Sequence, residues 1–412
     1  MIFLNKKTTV FIATFSPWKD GKRLPINGNL EPMVDFFAPR TKRTVLIDQV
    51  YPGSDFVIPR VEVYEKGKLK KITRHLPFIY LLYPLLKLTN KSGTRVVFKI
   101  RDFLSIISWV TQDPARYDFF IGFEAINAIA GIVLKRFGRV KTVIYYVSDY
   151  SPNRYKQKWF NNLYLWLDRF AASHADFIWD VSTAIQPARI KAGLDKEKSV
   201  PVLHVPNALY PEQIKTENMK NIEPDSIVFM GTLGIENGPD LAIEAMPYIL
   251  EKIPGGKLHI VGGGEDIERL KTLVKNLKVG QSVVFHGFVS DRIEVSNMIR
   301  KFMVALAPYL AIDGSARNYG DATKIRAYLA AGLPVVTTFV PPLGKEVEKI
   351  GAAILVKDSK KELAEAVIRI LSDKKLYLKM KKKAIEFAKE NTWENEFNKA
   401  FIDYWKAKTG ET

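Results

Sequence analysis

Short apolar, mostly β-branched runs alternate along the chain with longer stretches whose apolar residues recur every three or four positions. The first pattern predicts strands and the second helices. In the first half the strand-like runs are Thr9–Phe15, Thr44–Val50, Arg95–Lys99, Asp118–Phe123, Thr142–Val147, Phe177–Val181 and Val202–Val205. Between them, Ile126–Phe137 and Phe160–Ala172 carry helical spacing. In the second half the strand-like runs are Ile227–Met230, Lys257–Val261, Val283–Phe288, Met303–Ala307, Pro334–Thr338 and Ala352–Val356. A helix over Glu265–Leu277 would place Ile267, Leu270, Val274 and Leu277 on one face. Strand–helix alternation through both halves predicts an α/β fold with parallel sheets. Residues 208–225 lose the period and contain Pro211 and Pro224, as a linker does. Two domains are therefore expected, 1–207 and 226–390. Residues 391–412 read as a last amphipathic helix, with Trp393, Phe397, Phe401 and Trp405 at four-residue steps, expected to pack back on the first domain.

Composition narrows the chemistry. The 412 residues include 62 Lys+Arg against 44 Asp+Glu, a net charge of +18, which calls for an anionic partner: nucleic acid, an acidic membrane surface or a phosphorylated ligand. With no cysteine, disulfides, thiolate zinc sites and thiol nucleophiles are excluded, and five histidines make a His-rich metal site unexpected. No run approaches the roughly 18 apolar residues of a spanning helix. The N-terminus lacks the basic, apolar and small-residue succession of a signal peptide. A cytoplasmic location follows as the expectation. The densest basic run, Lys66–Arg74, precedes the apolar Leu76–Leu88, with Lys91, Arg95, Lys99 and Arg101 beyond it. Cations beside an apolar, Tyr-containing stretch suit an anionic membrane surface, here the inner face of the cell membrane, or a solvated charge run beside a core helix. No nucleic-acid reader motif is present, so no specific nucleic acid is expected.

Candidate chemistry concentrates in Asn318–Thr338, which reads as loop, helix and strand. Asp321 is placed to cap the helix. The amides of Thr323 and Lys324, with the Lys324 ammonium, would then form an anion site suited to phosphate. A capped surface helix with a solvated lysine is the plainer alternative. The triple glycine Gly262–Gly264 follows a strand, but Glu265 and Asp266 come next and would repel a phosphate, so it reads as a tight turn. His286-Gly-Phe-Val289 ends a strand, where ligands of parallel sheets bind, or else supplies core residues. The loop Ser16–Asn29, with Asn29 as a helix cap, is long enough to be functional or simply mobile. Glu124 and Asp149 follow first-half strands and could orient or deprotonate an acceptor hydroxyl, or serve as cap and turn.

The run Lys324-Ile-Arg-Ala-Tyr-Leu-Ala-Ala-Gly-Leu-Pro-Val-Val336 resembles the donor-site helix of GT-B glycosyltransferases of family 4. Segments in matching order support it: Val205–Asn207, Ile227–Leu233, Leu258–Gly264, Val284–Val289, Met303–Tyr309 and Trp393. The resemblance is best from about residue 140 onward. It implies two Rossmann-like domains facing across a cleft, the first binding the acceptor and the second a nucleoside-diphosphate sugar. It implies a hexosyltransferase that retains configuration and uses no metal or other cofactor. Backbone near Phe288 and Val289 would read the base, and Gly231, Thr232, His286, Asp321, Thr323 and Lys324 would surround the donor, with Lys324 at the leaving diphosphate. The acceptor would be a glycan or lipid-linked hydroxyl. The chain departs from the family pattern in carrying Thr232 and Asn237 where two cations are usual, and Tyr319 and Ala327 where two glutamates are usual. These departures favour the alternative of a catalytically silent GT-B-like protein that binds glycan or lipid.

Overall fold

The structure, a computed structural model, describes residues 4–24, 28–92 and 95–409. Residues 25–27 of the long first loop, and the side chains of Ile79, Tyr80, Lys91 and Arg95 in the basic and apolar stretch, lie outside the described residues. Two compact units emerge: Met1–Asn207 with Phe397–Thr412, and Ala208–Glu396.

The first unit runs β1 (Thr9–Ser16), the short strands β2 (Trp18–Lys19) and β3 (Lys22–Arg23), α1 (Leu30–Phe37), β4 (Arg43–Val50), β5 (Arg60–Glu65), β6 (Lys68–Arg74), α2 (Ile79–Ser92) and α3 (Arg95–Gln112). It continues with β7 (Tyr117–Phe123), α4 (Glu124–Arg136), β8 (Val140–Val147), α5 (Lys158–His174), β9 (Phe177–Asp180), α6 (Ile185–Lys191) and β10 (Val202–His204). Its sheet has the order β10-β9-β8-β7-β1-β4-β5-β6. Strands from β10 to β4 are parallel, and β5 and β6 are added antiparallel. The inner strands are apolar on both faces because helices cover both.

Two expectations are corrected here. Arg95–Lys99 is not a strand but the first turns of α3. Val96-Val97-Phe98 imitates a strand locally, yet Phe98, Asp102, Ser105, Ile106 and Val110 are buried at helical spacing, and the periodic stretch is too long for a strand. The basic run Lys66–Arg74 is chiefly β6, the exposed outer strand of a hairpin, rather than charge beside a core helix. Glu65 pairs with Lys68 across a two-residue turn, and Lys66 and Gly67 both have positive φ, +51° and +83°. That is the backbone a tight hairpin turn requires.

The long first loop folds back as the β2–β3 ladder. Arg23 clamps it, bonding Asp48 at 2.9 Å and Glu62 at 3.0 Å. Asn29 stands at the start of α1 but makes no capping bond; its amide donates to the Tyr146 hydroxyl at 3.0 Å. The helix α14 (Trp393–Thr409) belongs from Phe397 onward to this unit, where Phe397 and Phe401 meet Phe36, Phe37 and Trp179.

The second unit runs β11 (Ser226–Met230), α7 (Pro239–Lys252), β12 (Lys257–Val261), α8 (Ile267–Asn276), β13 (Val283–Gly287), α9 (Arg292–Ile299) and β14 (Val304–Ala307). Then follow α10 (Thr323–Ala330), β15 (Val335–Thr338), α11 (Leu343–Lys349), β16 (Ala353–Val356), α12 (Lys360–Ser372) and α13 (Lys374–Glu390). The sheet order is β13-β12-β11-β14-β15-β16, parallel throughout. Strand alternation sends Ile227 and Phe229 into one core layer and Val228 into the other. Residues 208–225 group with this unit: Leu209 bridges to Thr392, and the Glu223 N–H donates to the Lys301 carbonyl at 2.8 Å.

Candidate donor site and a charged cluster in the first unit

In the second unit the chain leaves β11 toward β12 on one side, while β14 lies on the other. Ligands of open parallel sheets bind at such a switch point, outside the carboxyl ends of the strands. Gly231 follows β11 there with φ +135°. Gly262, after β12, has φ +153°, and a Cβ on it would lie 1.9 Å from the Gly231 carbonyl oxygen. Only glycine permits that approach, so the triple glycine is a packing turn that supports the Gly231 loop. Asn237, buried in the same loop, donates its amide to the Thr232 carbonyl at 3.1 Å. It shapes the loop after β11, and the Thr232 side chain is left exposed.

The helix α10 starts beside this loop. Tyr328 holds it in place: its hydroxyl accepts from the Met230 N–H at 2.6 Å and donates to the Leu306 carbonyl at 3.1 Å, tying α10 to the ends of β11 and β14. One turn earlier, Lys324 is only 8% exposed. Its Nζ lies 4.5 Å from the Phe229 ring centroid and 4.4 Å from that of Tyr309. A Cβ built on Gly231 would be 3.2 Å from it. Nζ has no hydrogen-bond partner among the described residues. Burial pushes its pKa down to about 7, with Arg317 acting in the same direction and Glu236 opposing. Two aromatic faces stabilise a cation but do not replace its lost water. An anion placed at Nζ would favour the charged form.

Other expected site residues are placed differently. Asp321 does not cap α10. Its carboxylate takes Arg326 Nε at 2.8 Å and Nη2 at 3.1 Å, both side chains being buried, while Ala322 occupies the cap position without a side-chain bond. A two-pronged buried ion pair outweighs a single cap hydrogen bond. The Thr323 N–H is not free but donates to the Asp321 carbonyl at 3.2 Å, and its side chain is exposed. His286 is engaged by its own neighbours: Nε2 lies 3.0 Å from His259 Nδ1, and its ring neighbours Phe302. Phe288 is 78% exposed beyond β13, and Val289 packs against the layer holding Tyr309 and Ile325. Sequence reasoning missed Arg317 and Glu236. They sit in separate loops joined by a 3.5 Å ion pair and by the Ser315 hydroxyl on Glu236 at 2.7 Å. No local motif marks them, because only the fold brings the two loops together.

In the first unit Glu124 follows β7, beside β1 in the sheet, with φ +60°, an uncommon backbone for a non-glycine residue. Its carboxylate takes Lys99 at 2.5 Å and Arg154 at 3.5 Å. Arg154 also pairs with Asp149 at 3.2 Å, so the two expected acidic residues share one guanidinium. Burial works against the charges of Lys99 and Arg154, but Glu124, with Asp102 for the lysine and Asp149 for the arginine, raises both pKa values and keeps them cationic. No group of three or more His, Cys, Asp or Glu side chains placed to hold a metal ion occurs among the described residues.

Residues 212–387 match the family model Glycosyl transferases group 1. An uncharacterized glycosyltransferase of Haemophilus influenzae is 25% identical over 181 residues, 43% of this chain and 47% of that protein. A poly(glycerol-phosphate) alpha-glucosyltransferase of Bacillus subtilis is 24% identical over 216 residues, 52% of this chain and 27% of that protein. The chain thus spans less than half the length of these curated relatives. Among solved structures, Anabaena HepE in complex with UDP superposes with a TM-score of 0.66 at 14% identity, covering 96% of this chain and all of that one. Sucrose-phosphate synthase from Thermosynechococcus elongatus gives 0.68 at 15% identity, covering 97% and 99%. Residues 212–387 are therefore a glycosyl transferases group 1 domain, carried in a chain with the GT-B glycosyltransferase fold.

Proposed function

We propose that the protein transfers a sugar from a nucleoside-diphosphate sugar, held by the second unit, to an acceptor hydroxyl held by the first. The observation that carries this reading is Lys324, a buried amine without a hydrogen-bond partner among the described residues, at a helix start and a sheet switch point. Transfer leaves a nucleoside diphosphate, and its developing charge must be stabilised. Lys324, the amino end of α10 and Arg317 would do this without a metal ion. Backbone near Phe288 and Val289 would meet the base, and Glu124 or Asp149 would position the acceptor hydroxyl. Following the family resemblance we assign retention of anomeric configuration; proton NMR of the product reads it directly.

Titration calorimetry with UDP, GDP and their sugars tests the donor site. Free Lys324 is about half protonated near pH 7, and a diphosphate beside it restores the proton. Binding should therefore take up close to one proton at pH 8, seen in buffers of different ionisation enthalpy, and should weaken as pH rises further. Failure of every nucleotide to bind, or binding independent of pH between 6 and 9, would overturn the assignment. Nucleotide binding without donor hydrolysis or transfer would favour a silent binding protein, the reading that Ala327 supports by placing no carboxylate on α10.

We further propose that the protein works at the inner face of the cell membrane. No helix among the described residues is long and apolar enough to cross a bilayer. Strand β6 instead exposes its lysines with Leu69 and Ile72, and α2 exposes Leu81 and Leu88. Cations beside exposed apolar side chains bind anionic lipid at a surface. The protein should float with anionic vesicles at low salt and be released at high salt; remaining at the bottom of the gradient with anionic vesicles at low salt would sink the idea.

A further inference from the structure

We propose that the space between α3, α4 and α5 of the first unit is an acceptor site for the apolar tail of an uncharged glycoside. Its sugar hydroxyls would be held at the mouth by Glu124, Lys99 and Arg154. This deepens the transfer reading above and rests on it. The cavity measures about 330 Å³, within the range of small-molecule sites. Its wall is apolar, formed by Ile100, Phe103 and Leu104 of α3, Ile126 of α4, and Leu163 and Leu167 of α5. Hydrocarbon seated against such an apolar wall is removed from water together with the wall itself, which favours binding. It also opens outward, with Ile100 52% exposed at the rim.

Polar groups gather at one end only, where Lys99, Glu124, Arg154 and Tyr155 line both this cavity and an adjoining recess. Their arrangement selects the head of the ligand. Lys99 and Arg154 face Glu124, and Asp149 binds Arg154 from the other side, so two cations meet two anions. An anionic head would have to displace a carboxylate. A neutral polyol can instead donate to Glu124 and accept from the two cations at once. The positive φ of Glu124 fits this placement, since strained residues concentrate at working sites.

The test uses the full chain and a fluorescent apolar probe, N-phenyl-1-naphthylamine, displaced by n-alkyl β-D-glucosides below their micellar concentrations. Affinity should rise about fourfold per added methylene until the cavity is full. Glucose should not displace the probe, and decanoate should bind more weakly than the glucoside of equal chain length. Leu104→Trp should abolish the chain-length dependence by filling the space. Should that variant fail to fold, Ile100→Glu at the rim should weaken every long-chain glucoside tenfold or more. Chain-length independence in the wild type, or decanoate binding as well as the glucoside, would overturn the proposal. So would a concentration-dependent dimer in sedimentation that Leu104→Trp dissociates, which would assign the space to a second copy. UDP titration of the same samples reports on the donor site alone, so failure here and failure of the donor assignment are separable.

Discussion

Lys324→Met should make the unliganded protein more stable while removing its affinity for UDP. The native structure holds the amine buried between Phe229 and Tyr309 with a pKa of about 7, against 10.5 for a solvated lysine. Between those values the unfolded chain binds the proton more tightly, so the stability of the wild type should rise as pH increases from 7 to 10.5. Below pH 7 the full cost of the buried charge is present. Methionine fills similar space without that cost, and we expect a gain of roughly 2–4 kcal/mol at pH 6 that disappears toward pH 10. Binding should respond oppositely. Loss of a desolvated cation facing a diphosphate should weaken UDP at least a hundredfold, about 3 kcal/mol. Thermal melts at pH 6 and 9 with UDP titration of the same samples check both halves. A variant less stable than wild type at pH 6, or one that still binds UDP as wild type does, would contradict the assignment.

Arg189→Met carries the largest expected stability loss in the first unit. Arg189 is fully buried, donating from Nε to Asp168 at 3.0 Å and from Nη2 to Asp180 at 3.1 Å, while the Tyr145 hydroxyl donates to Asp168 at 2.7 Å. Burial already pushes the Asp180 pKa up, and Arg189 is what keeps its anion tolerable. Removing the cation leaves two carboxylates in the interior, a loss of about 3–5 kcal/mol and a fall in melting temperature on the order of 10 °C. The sign with pH distinguishes this cause from a simple cavity. Without the cation the Asp180 pKa should rise further above its unfolded value, so the variant should recover stability as pH falls from 8 to 5. Replacing Asp168 and Asp180 with Asn in the same chain should restore much of the loss. A variant melting within a degree of wild type at pH 8 would refute the argument.

Legibility in the sequence followed how locally each feature is determined. Buried parallel strands such as Asp118–Phe123 and Thr142–Val147 are continuous apolar runs, and their positions survive almost unchanged as β7 and β8. Arg95–Lys99 misled because three bulky residues in a row look the same at the head of a helix, where burial at Ser105, Ile106 and Val110 decides. The β5–β6 hairpin escaped notice because β6 breaks the apolar alternation of a half-buried strand, with lysines among its exposed Leu69 and Ile72, and only the Lys66-Gly67 turn announces it. Lys324 could be singled out from its place in the first turn of a helix. Its depressed pKa could not, since Phe229 and Tyr309 reach it only through the sheet. Asp321 was readable as polar and well placed, but its choice of Arg326 over the helix amides is a tertiary outcome.

Strand β6 has one more consequence. It is the outer edge of the eight-stranded sheet, and such an edge can template the addition of another chain. Lys68, Lys70, Lys71 and Arg74 stand along it with no acidic residue among them. Two copies meeting there would bring like charges face to face at about 4.8 Å strand spacing, which is unfavourable. Part of the excess positive charge thus disfavours edge-to-edge pairing of β6 with a second copy.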